Sequence, residues 1–171
     1  MTQVYPEPQL KSAASPTLLR CDSEWVAVEV KDHHRRLVAA RPVPQGTRLF
    51  RIEGNEVAQP TRFSVQVGPD LHIDQDCARD EFDVVRGYFW RYLDHACEPT
   101  VMIRERDVIA VRDIEAGEAV TFHYCTTEYD MATPFPCHCG SARCLGVIRG
   151  AKHLKAADRK RLVKWMAEWV R

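Results

Sequence analysis

Short apolar runs, several of which alternate with polar positions, follow one another along most of the chain. Runs of this kind that are rich in β-branched residues and bounded by turn residues are typical of β-strands. Glycine and proline turns, such as residues 42–46 (PVPQG) and 68–70 (GPD), separate them. The pattern therefore predicts a mainly β fold. The predicted strands are residues 25–30, 37–40, 47–52, 63–67, 108–111 and 119–124.

The two ends of the chain depart from this pattern. Residues 1–20 contain Pro6, Pro8 and Pro16 among serines and alanines, a composition that favours a flexible tail. Residues 154–171 place leucine, methionine and tryptophan near helical spacing with Lys and Arg between them, which predicts an amphipathic helix that packs on the body. The predicted organisation is a tail over residues 1–20, a main domain over 21–133, a cysteine-rich loop over 134–150 and a helical segment over 151–171.

The composition fits a single domain of ordinary size. The chain has 171 residues, and its 24 Lys and Arg residues equal its 24 Asp and Glu residues. No net charge draws it toward nucleic acid or an anionic membrane, and no apolar stretch is long enough to span a bilayer. We therefore expect no direct nucleic acid binding and no membrane association, and we expect partners to be recognised through local contacts.

Cysteine usage bears on the cellular compartment. The seven cysteines are an odd number, and residues 1–20 contain no long apolar run like that of a signal peptide. Disulfides persist mainly in secreted proteins, whereas intracellular thiols stay reduced. The sequence therefore predicts free thiols and an intracellular location, either cytoplasmic or nuclear.

Three cysteines lie close together near the C-terminus, namely Cys137, Cys139 and Cys144. Zinc bound by thiolates takes four ligands at tetrahedral angles, so these three leave one position to fill. Cys97 is the best fourth donor, because it lies in a polar turn that ends in proline. Buried reduced cysteines and disulfides are the alternatives, but the close spacing and the odd cysteine count favour one structural Zn²⁺.

Three motifs in the second half of the chain form a set. Residues 94–100 read DHACEPT, residues 121–124 read TFHY and residues 137–146 read CHCGSARCLG. Together they resemble the Asn-His-Ser-Cys-x-Pro-Asn motif, the Thr-Phe-Asp-Tyr motif and the post-SET cysteines of the SET domain of protein-lysine methyltransferases, in its small form. The likeness covers about residues 25–150. It implies a SET-domain β-clip fold with a C-terminal pseudoknot that brings residues 91–97 beside 121–124, a post-SET zinc loop and a C-terminal amphipathic helix.

The resemblance also implies an activity, S-adenosylmethionine-dependent protein-lysine N-methyltransfer. The methyl donor binds on one face, and the lysine of a protein or peptide enters a narrow channel from the other. A sulfonium methyl group needs alignment, exclusion of water and an uncharged amine rather than a metal. Free lysine, with a pKa of about 10.4, is protonated at neutral pH, so the channel must favour the neutral amine.

Individual residues take their expected roles from the same resemblance. Tyr124 matches the catalytic tyrosine, whose hydroxyl orients the amine and the methyl group. Phe122 and Phe63 match substrate-channel positions, and phenylalanine at 122 leaves room for a di- or trimethylated product. The residues implied to bind S-adenosylmethionine are Arg35, Arg36, Leu37, Arg91, Tyr92, Asp94, His95 and Leu145. The implied zinc ligands are Cys97, Cys137, Cys139 and Cys144.

Several positions depart from the family pattern. The Gly-x-Gly segment of the family is replaced by His34, Arg35 and Arg36, which add bulk where bare backbone normally approaches the cofactor. The motif asparagine is Asp94, and Phe63 stands where many relatives have a second channel tyrosine. These changes support an alternative, a weakened or inactive SET module that binds a lysine-bearing peptide or serves as a scaffold.

A thiol enzyme is a third hypothesis. It would use Cys125 beside His123, or Cys97 beside His95. Nucleophilic thiols are activated by a base within hydrogen-bond reach, and nearness along the chain does not establish such contact.

Overall fold

The computed structural model describes residues 15–75 and 80–171. Within these two ranges the chain forms short strands, arranged in five small sheets, and two helices of seven residues each. The strands are β1 (Thr17–Arg20), β2 (Val26–Lys31), β3 (His34–Ala39), β4 (Arg48–Arg51), β5 (Asn55–Val57), β6 (Val65–Gly68), β7 (Leu71–Asp74), β8 (Asp94–His95), β9 (Val101–Arg104), β10 (Asp107–Ala110), β11 (Thr121–Phe122), β12 (Phe135–Pro136) and β13 (Val147–Ile148). The helices are α1 (Glu81–Gly87) and α2 (Ala156–Leu162).

The predicted mainly β architecture is confirmed, and each of the six predicted strands overlaps an observed strand. Three sheets have three strands, in the orders β1-β2-β3, β4-β10-β9 and β5-β7-β6. Their apolar faces enclose one core, in which Val28, Leu37, Ile52 and Ile103 are almost fully buried. Among the helices that the structure describes, none is long and apolar enough to cross a bilayer.

The N-terminal tail is shorter than the sequence predicts. Thr17–Arg20 pairs antiparallel with β2, with Thr17 opposite Val30, and Leu19 packs against the core. Residues 1–14 of the predicted tail lie outside the described residues. The apolar Leu19 explains this pairing, because its side chain packs on the core while Leu18 stays 58% exposed.

A parallel pairing joins two segments that are distant in sequence. Strand β8 lies beside β11, with Asp94 opposite Thr121 and His95 opposite Phe122. The backbone N–H of Ala96 continues the ladder by donating to the carbonyl oxygen of Phe122 at 3.1 Å. This pairing brings the DHACEPT and TFHY motifs together, as the predicted pseudoknot requires.

The C-terminal helix is shorter than the predicted residues 154–171. Helix α2 covers Ala156–Leu162, between 3₁₀ turns at Ala151–His153 and Glu168–Val170. The chain leaves helical geometry because the body offers it other partners. The N–H of Ala167 donates to the carbonyl oxygen of Thr126 at 2.8 Å, and the indole of Trp169 donates to that of Thr127 at 2.8 Å. The aromatic residues of this segment therefore pack on the body, as predicted, but not from one continuous helix.

Gly150 holds the C-terminal segment against the chain that follows Tyr124. Its φ of 108° and ψ of 169° lie in a region reserved for glycine, and a Cβ there would lie 2.5 Å from the carbonyl oxygen of Tyr129. We expect Gly150→Ala to lower the free energy of unfolding by about 2 kcal/mol or more, from strain and the clash. Urea titration measures this loss. Gly87→Ala is the matched control, because a Cβ at Gly87 meets open space, and an equal effect of the two changes would contradict the prediction.

Candidate active site

A cavity of about 240 Å³ lies where several segments of the fold converge. One wall comes from residues 60–65, before and at the start of β6, and a second from residues 90–94, which lead into β8. Residues 122–133 close the remaining side. The side chains that bear on its chemistry are Phe63, Arg91, Asp94, Phe122, Tyr124 and Glu128. The structure thus places the predicted catalytic tyrosine, both predicted channel residues and two predicted cofactor residues around one space.

Tyr124 is held in this cavity at both its backbone and its hydroxyl. Its phenol donates to the carbonyl oxygen of Leu93 at 2.8 Å, and its backbone N–H donates to Nδ1 of His95 at 3.2 Å. Burial raises the pKa of Tyr124, and the charges of Asp94 and Glu128 add to this effect. The hydroxyl is therefore neutral, and its oxygen keeps lone pairs that can accept a hydrogen bond from an incoming amine.

The two predicted channel residues differ in exposure. Phe122 is 3% exposed and packs against the Tyr124 ring, with ring centroids 4.6 Å apart. Phe63 is 45% exposed, and the guanidinium of Arg91 lies 4.1 Å from its ring centroid. Phe122 therefore forms an inner wall of the cavity, whereas Phe63 and Arg91 form its outer rim.

The predicted cofactor residues on β3 point in different directions. Leu37 is 1% exposed and packs in the core, so only its backbone is available to a ligand, and its carbonyl oxygen already accepts from the N–H of Val120. Arg36 pairs across the hairpin with Glu29 at 2.7 Å. Arg35 forms an ion pair with Glu81, but its Nε is buried without a hydrogen-bond partner among the described residues. That unpartnered donor is a feature that a bound polar ligand would satisfy.

Asp94 lies beside the basic residues that replace the family glycines. Burial raises the pKa of its carboxyl, while the neighbouring His34 and Arg36 oppose this effect. Its carboxylate has no hydrogen bond to any residue that the structure describes. The acidic and the basic departures from the family pattern therefore lie close enough to influence each other.

Arg91 and Tyr92 stand between β3 and the cavity rim. The guanidinium of Arg91 donates to Oε1 of Gln75 and stacks on Phe63. Burial raises the pKa of Tyr92, against the charges of Arg91 and Arg35. Because the charge of Arg35 acts on Tyr92, residues 91–92 lie near β3. A cofactor site formed by β3 and residues 91–92 would require this proximity.

Four cysteine sulfurs form a compact cluster at the end of the antiparallel β12–β13 pair. The sulfurs of Cys97, Cys137, Cys139 and Cys144 all lie within 4.8 Å of one another. Tetrahedral zinc with Zn–S bonds of about 2.3 Å needs sulfurs about 3.8 Å apart, so the cluster fits one zinc ion. Backbone N–H groups support the sulfurs, because Leu145 donates to Cys97 at 3.4 Å and Gly146 to Cys144 at 3.5 Å.

His95 connects the cysteine cluster to Tyr124. Burial lowers the pKa of His95 to about 4, so its ring is neutral. Since Nδ1 accepts the backbone N–H of Tyr124, the ring proton is on Nε2, which lies 3.3 Å from the sulfur of Cys97. One imidazole therefore contacts the tyrosine backbone on one side and a sulfur of the cysteine cluster on the other, an arrangement that outer partners of metal sites often have.

The thiol-enzyme hypothesis finds little support in this geometry. Burial raises the pKa of Cys125 to about 11, so its thiol is protonated. His123 is fully buried, and both its ring nitrogens lack a hydrogen-bond partner among the described residues. Cys97 belongs to the four-cysteine cluster rather than to an exposed cleft.

Sequence reasoning missed Glu128 as a cavity residue. It lies four residues after Tyr124 and is 8% exposed. The only available signal was an acid in the otherwise uncharged run Tyr124–Tyr129, which reads YCTTEY. Carboxylates are rarely buried without a partner or a function, so the burial of Glu128 marks it as a candidate functional residue.

Comparison with known proteins identifies the family. Residues 34–125, more than half of the chain, match the model of the SET domain. Methyltransferase flvH of Aspergillus flavus is 37% identical over 128 residues, which cover 72% of this chain and 64% of flvH. The H3 lysine-36 specific histone-lysine N-methyltransferase of Aspergillus oryzae is 33% identical over 82 residues, which cover 43% of this chain and 8% of that enzyme. The chain thus spans less than two thirds of the length of these relatives.

The solved structures agree on the fold. The crystal structure of KRYPTONITE in complex with mCHH DNA, H3(1-15) peptide and SAH matches with a TM-score of 0.53 at 18% identity, over 75% of this chain and 30% of that one. The DNA, peptide and SAH are ligands of that protein, and the likeness at this identity concerns the fold. Fold, paired motifs and sequence match agree, and the chain belongs to the SET-domain family.

Proposed function

We propose that the protein is an S-adenosylmethionine-dependent protein-lysine N-methyltransferase. The observation that supports this most is the neutral hydroxyl of Tyr124, held at a cavity beside Asp94 and Phe122 by the parallel pairing of β8 and β11. The relatives named as methyltransferases and as histone-lysine methyltransferases point the same way. The proposed substrate is a lysine in a protein or peptide, and the proposed location is nuclear or cytoplasmic.

The site has a proposed cofactor end and a proposed lysine end, and different side chains serve each. At the end where S-adenosylmethionine would bind, Asp94 offers a carboxylate that has no hydrogen bond to the residues seen in the structure, and Arg35 offers a buried donor. When bound, that molecule supplies the methyl group on a positively charged sulfur. Phe122 and Phe63 line the path of the lysine stem, and they restrict both its direction and the access of water.

Tyr124 orients the amine in this scheme. Its hydroxyl donates to Leu93, so its oxygen can accept an N–H of the amine and direct the nitrogen lone pair toward the methyl carbon. Holding reactants in line in this way can account for several kcal/mol of the barrier. Phe122 in place of a tyrosine leaves no hydroxyl to restrain a methylated amine, which supports di- or trimethylated product.

The four cysteines would hold one structural zinc ion. The ion would fix residues 137–144 against Cys97 and place Leu145 at the edge of the cofactor site. Through His95, the same cluster positions the backbone of Tyr124. The zinc would therefore support the shape of the site without taking part in methyl transfer.

An inactive SET module that binds a lysine-bearing peptide is the second candidate. It is favoured by His34 and Arg36, whose side chains stand where the family has glycine. Against this second candidate, His34 and Arg36 lie close enough to Asp94 to oppose the rise that burial causes in the pKa of its carboxyl, so residues 34–36 still border the proposed cofactor site.

Two measurements separate the two candidates. Calorimetric titration with S-adenosylmethionine is expected to show binding, and labelled S-adenosylmethionine is expected to transfer its methyl group to lysines of core histones or of a peptide library. Binding of peptide without any methyl transfer would favour the inactive module. Absence of cofactor binding at millimolar concentration would refute the proposed enzyme.

A further inference from the structure

We propose that Glu128 is the base that removes the proton from the substrate lysine, a role that rests on the proposed methyl transfer. The transfer needs a neutral amine, while lysine enters from water as an ammonium ion. In the proposed step an N–H bond of the ammonium breaks, and an O–H bond forms on the Glu128 carboxylate. The neutral amine then attacks the methyl carbon, and the carboxyl returns its proton to water when the product leaves.

The position of Glu128 meets the geometric requirement. It lines the same cavity as Tyr124 and Phe122. Its backbone N–H donates to the carbonyl oxygen of Tyr124 at 2.9 Å, so the two residues are joined by one helical turn. The two side chains are close enough for the Glu128 charge to raise the pKa of Tyr124. A lysine that reaches the tyrosine hydroxyl therefore also comes near this carboxyl.

One carboxyl oxygen is fixed and the other is available. Oε1 accepts the backbone N–H of Gln66 at 2.8 Å and the hydroxyl of Thr127 at 3.4 Å. Oε2 has no hydrogen bond to any residue in the described part of the chain. A purely structural acceptor would need only Oε1. The second oxygen is left to receive a proton in the cavity.

The burial of Glu128 brings the pKa of its carboxyl into the range that suits proton transfer near neutral pH. It raises the pKa of the carboxyl to about 7, against the hydrogen bonds from Gln66 and Thr127. A base with a pKa near the working pH is deprotonated in a useful fraction of molecules and can still hold the proton that it accepts. An ordinary surface glutamate, with a pKa of about 4.3, would be a much weaker base.

The surrounding charged groups do not take this role from Glu128. Arg62 and Arg91 also line the cavity, where both lie over the ring of Phe63, and they carry no acceptor. The other cavity acid, Asp94, faces His34 and Arg36 at the proposed cofactor end. The remaining titratable neighbours, Tyr124 and Cys125, are buried and protonated.

The role can be tested without knowledge of the natural substrate by using n-butylamine, which mimics the lysine side chain. The protein is labelled with ¹³C at glutamate carboxyls, and the Glu128 signal is assigned by its absence in Glu128→Gln. At about pH 8, where the free carboxyl is mostly ionised and n-butylamine is a cation, added n-butylamine is expected to shift the Glu128 signal, because the ammonium comes to lie beside the carboxylate. A Glu128 signal that n-butylamine leaves unchanged would place the amine away from this carboxyl and overturn the proposal.

The pH profile of methyl transfer gives a second, independent test. Wild-type activity is expected to rise with pH up to about 7 and then level, since the carboxylate is the active form. Glu128→Gln keeps an acceptor for Gln66 but cannot take a proton. Its rate should fall by about 10²- to 10⁴-fold near neutral pH and should rise continuously toward the pKa of lysine itself. Peptides with aminoethylcysteine, whose amine is less basic, should recover part of the lost rate.

Glu115→Gln, at an exposed turn away from the cavity, is the matched control and should leave the profile unchanged. A Glu128→Gln enzyme with the wild-type profile would overturn the role of Glu128 while leaving the methyltransferase proposal intact. A uniform loss of rate with the wild-type profile shape would show a structural role and would also overturn it. A wild-type protein that neither binds n-butylamine nor transfers methyl groups would refute the proposed function, and the base with it.

Discussion

Tyr124→Phe is expected to lower the rate of methyl transfer by about 10²- to 10³-fold, the usual cost of removing one orienting group from a reacting centre. The change removes only the hydroxyl. The ring keeps its contacts with Phe122, His95 and Phe135, so the cavity keeps its shape. Affinity for S-adenosylmethionine should stay within about threefold, because the loss falls on the reacting amine.

The stability of Tyr124→Phe should change little. The lost hydrogen bond to the carbonyl oxygen of Leu93 costs about 1 kcal/mol. Single-turnover transfer of labelled methyl groups, calorimetry and thermal melts measure the three effects separately. Tyr129→Phe is the control, since that ring is 47% exposed and does not line the cavity. Wild-type activity of Tyr124→Phe would remove the tyrosine from the mechanism.

Cys97→Ser is expected to lower both the zinc content and the stability of the protein. Cys97 is the one member of the cluster outside residues 137–144, so its sulfur joins the loop to the segment that follows β8. A structural site with three remaining thiolates binds zinc much more weakly. We expect zinc well below one ion per chain and a free energy of unfolding lower by about 3 kcal/mol or more, which shifts the melting temperature by roughly 10 °C.

Elemental analysis and melting curves, with and without added zinc, test this expectation. Cys21→Ser is the matched control, because Cys21 lies apart from the cluster and should leave zinc content unchanged. Full zinc occupancy in Cys97→Ser would show that zinc binding does not require the Cys97 sulfur to join residues 137–144. Loss of zinc without any loss of stability would show that the closure contributes little to the fold.

The sequence predicted the sheet elements well because their signals are local. Alternating or β-branched runs indicated β2, β4 and β10, and the structure has strands at each. The two-residue strand β8 carries no such signal, and the run at residues 119–124, which predicts β11, does not show which segment it pairs with. Their pairing depends on segments that fold between them, and only the family resemblance pointed to it. Very short strands are defined by their partners rather than by their own composition.

The C-terminal segment shows where periodicity misleads. Leu162, Met166 and Val170 are buried, as an amphipathic helix would have them. However, the chain bends after Leu162 and bonds to Thr126 and Thr127 instead of continuing the helix. The apolar pattern predicts which residues are buried, whereas local tertiary hydrogen bonds decide the backbone conformation. Glu128 escaped prediction for a similar reason, because its burial depends on Gln66, 62 residues earlier.

The order of the chain also dictates when the site can assemble. Tyr124 directly follows β11, which pairs with β8. In β8, His95 contacts both the backbone of Tyr124 and the sulfur of Cys97. The other three sulfurs of the cluster lie at residues 137–144. The three three-stranded sheets therefore precede residue 130 in the chain, whereas three of the four clustered sulfurs follow it. The proposed cofactor site would therefore be completed only after Cys144, the last of these sulfurs, has been synthesised.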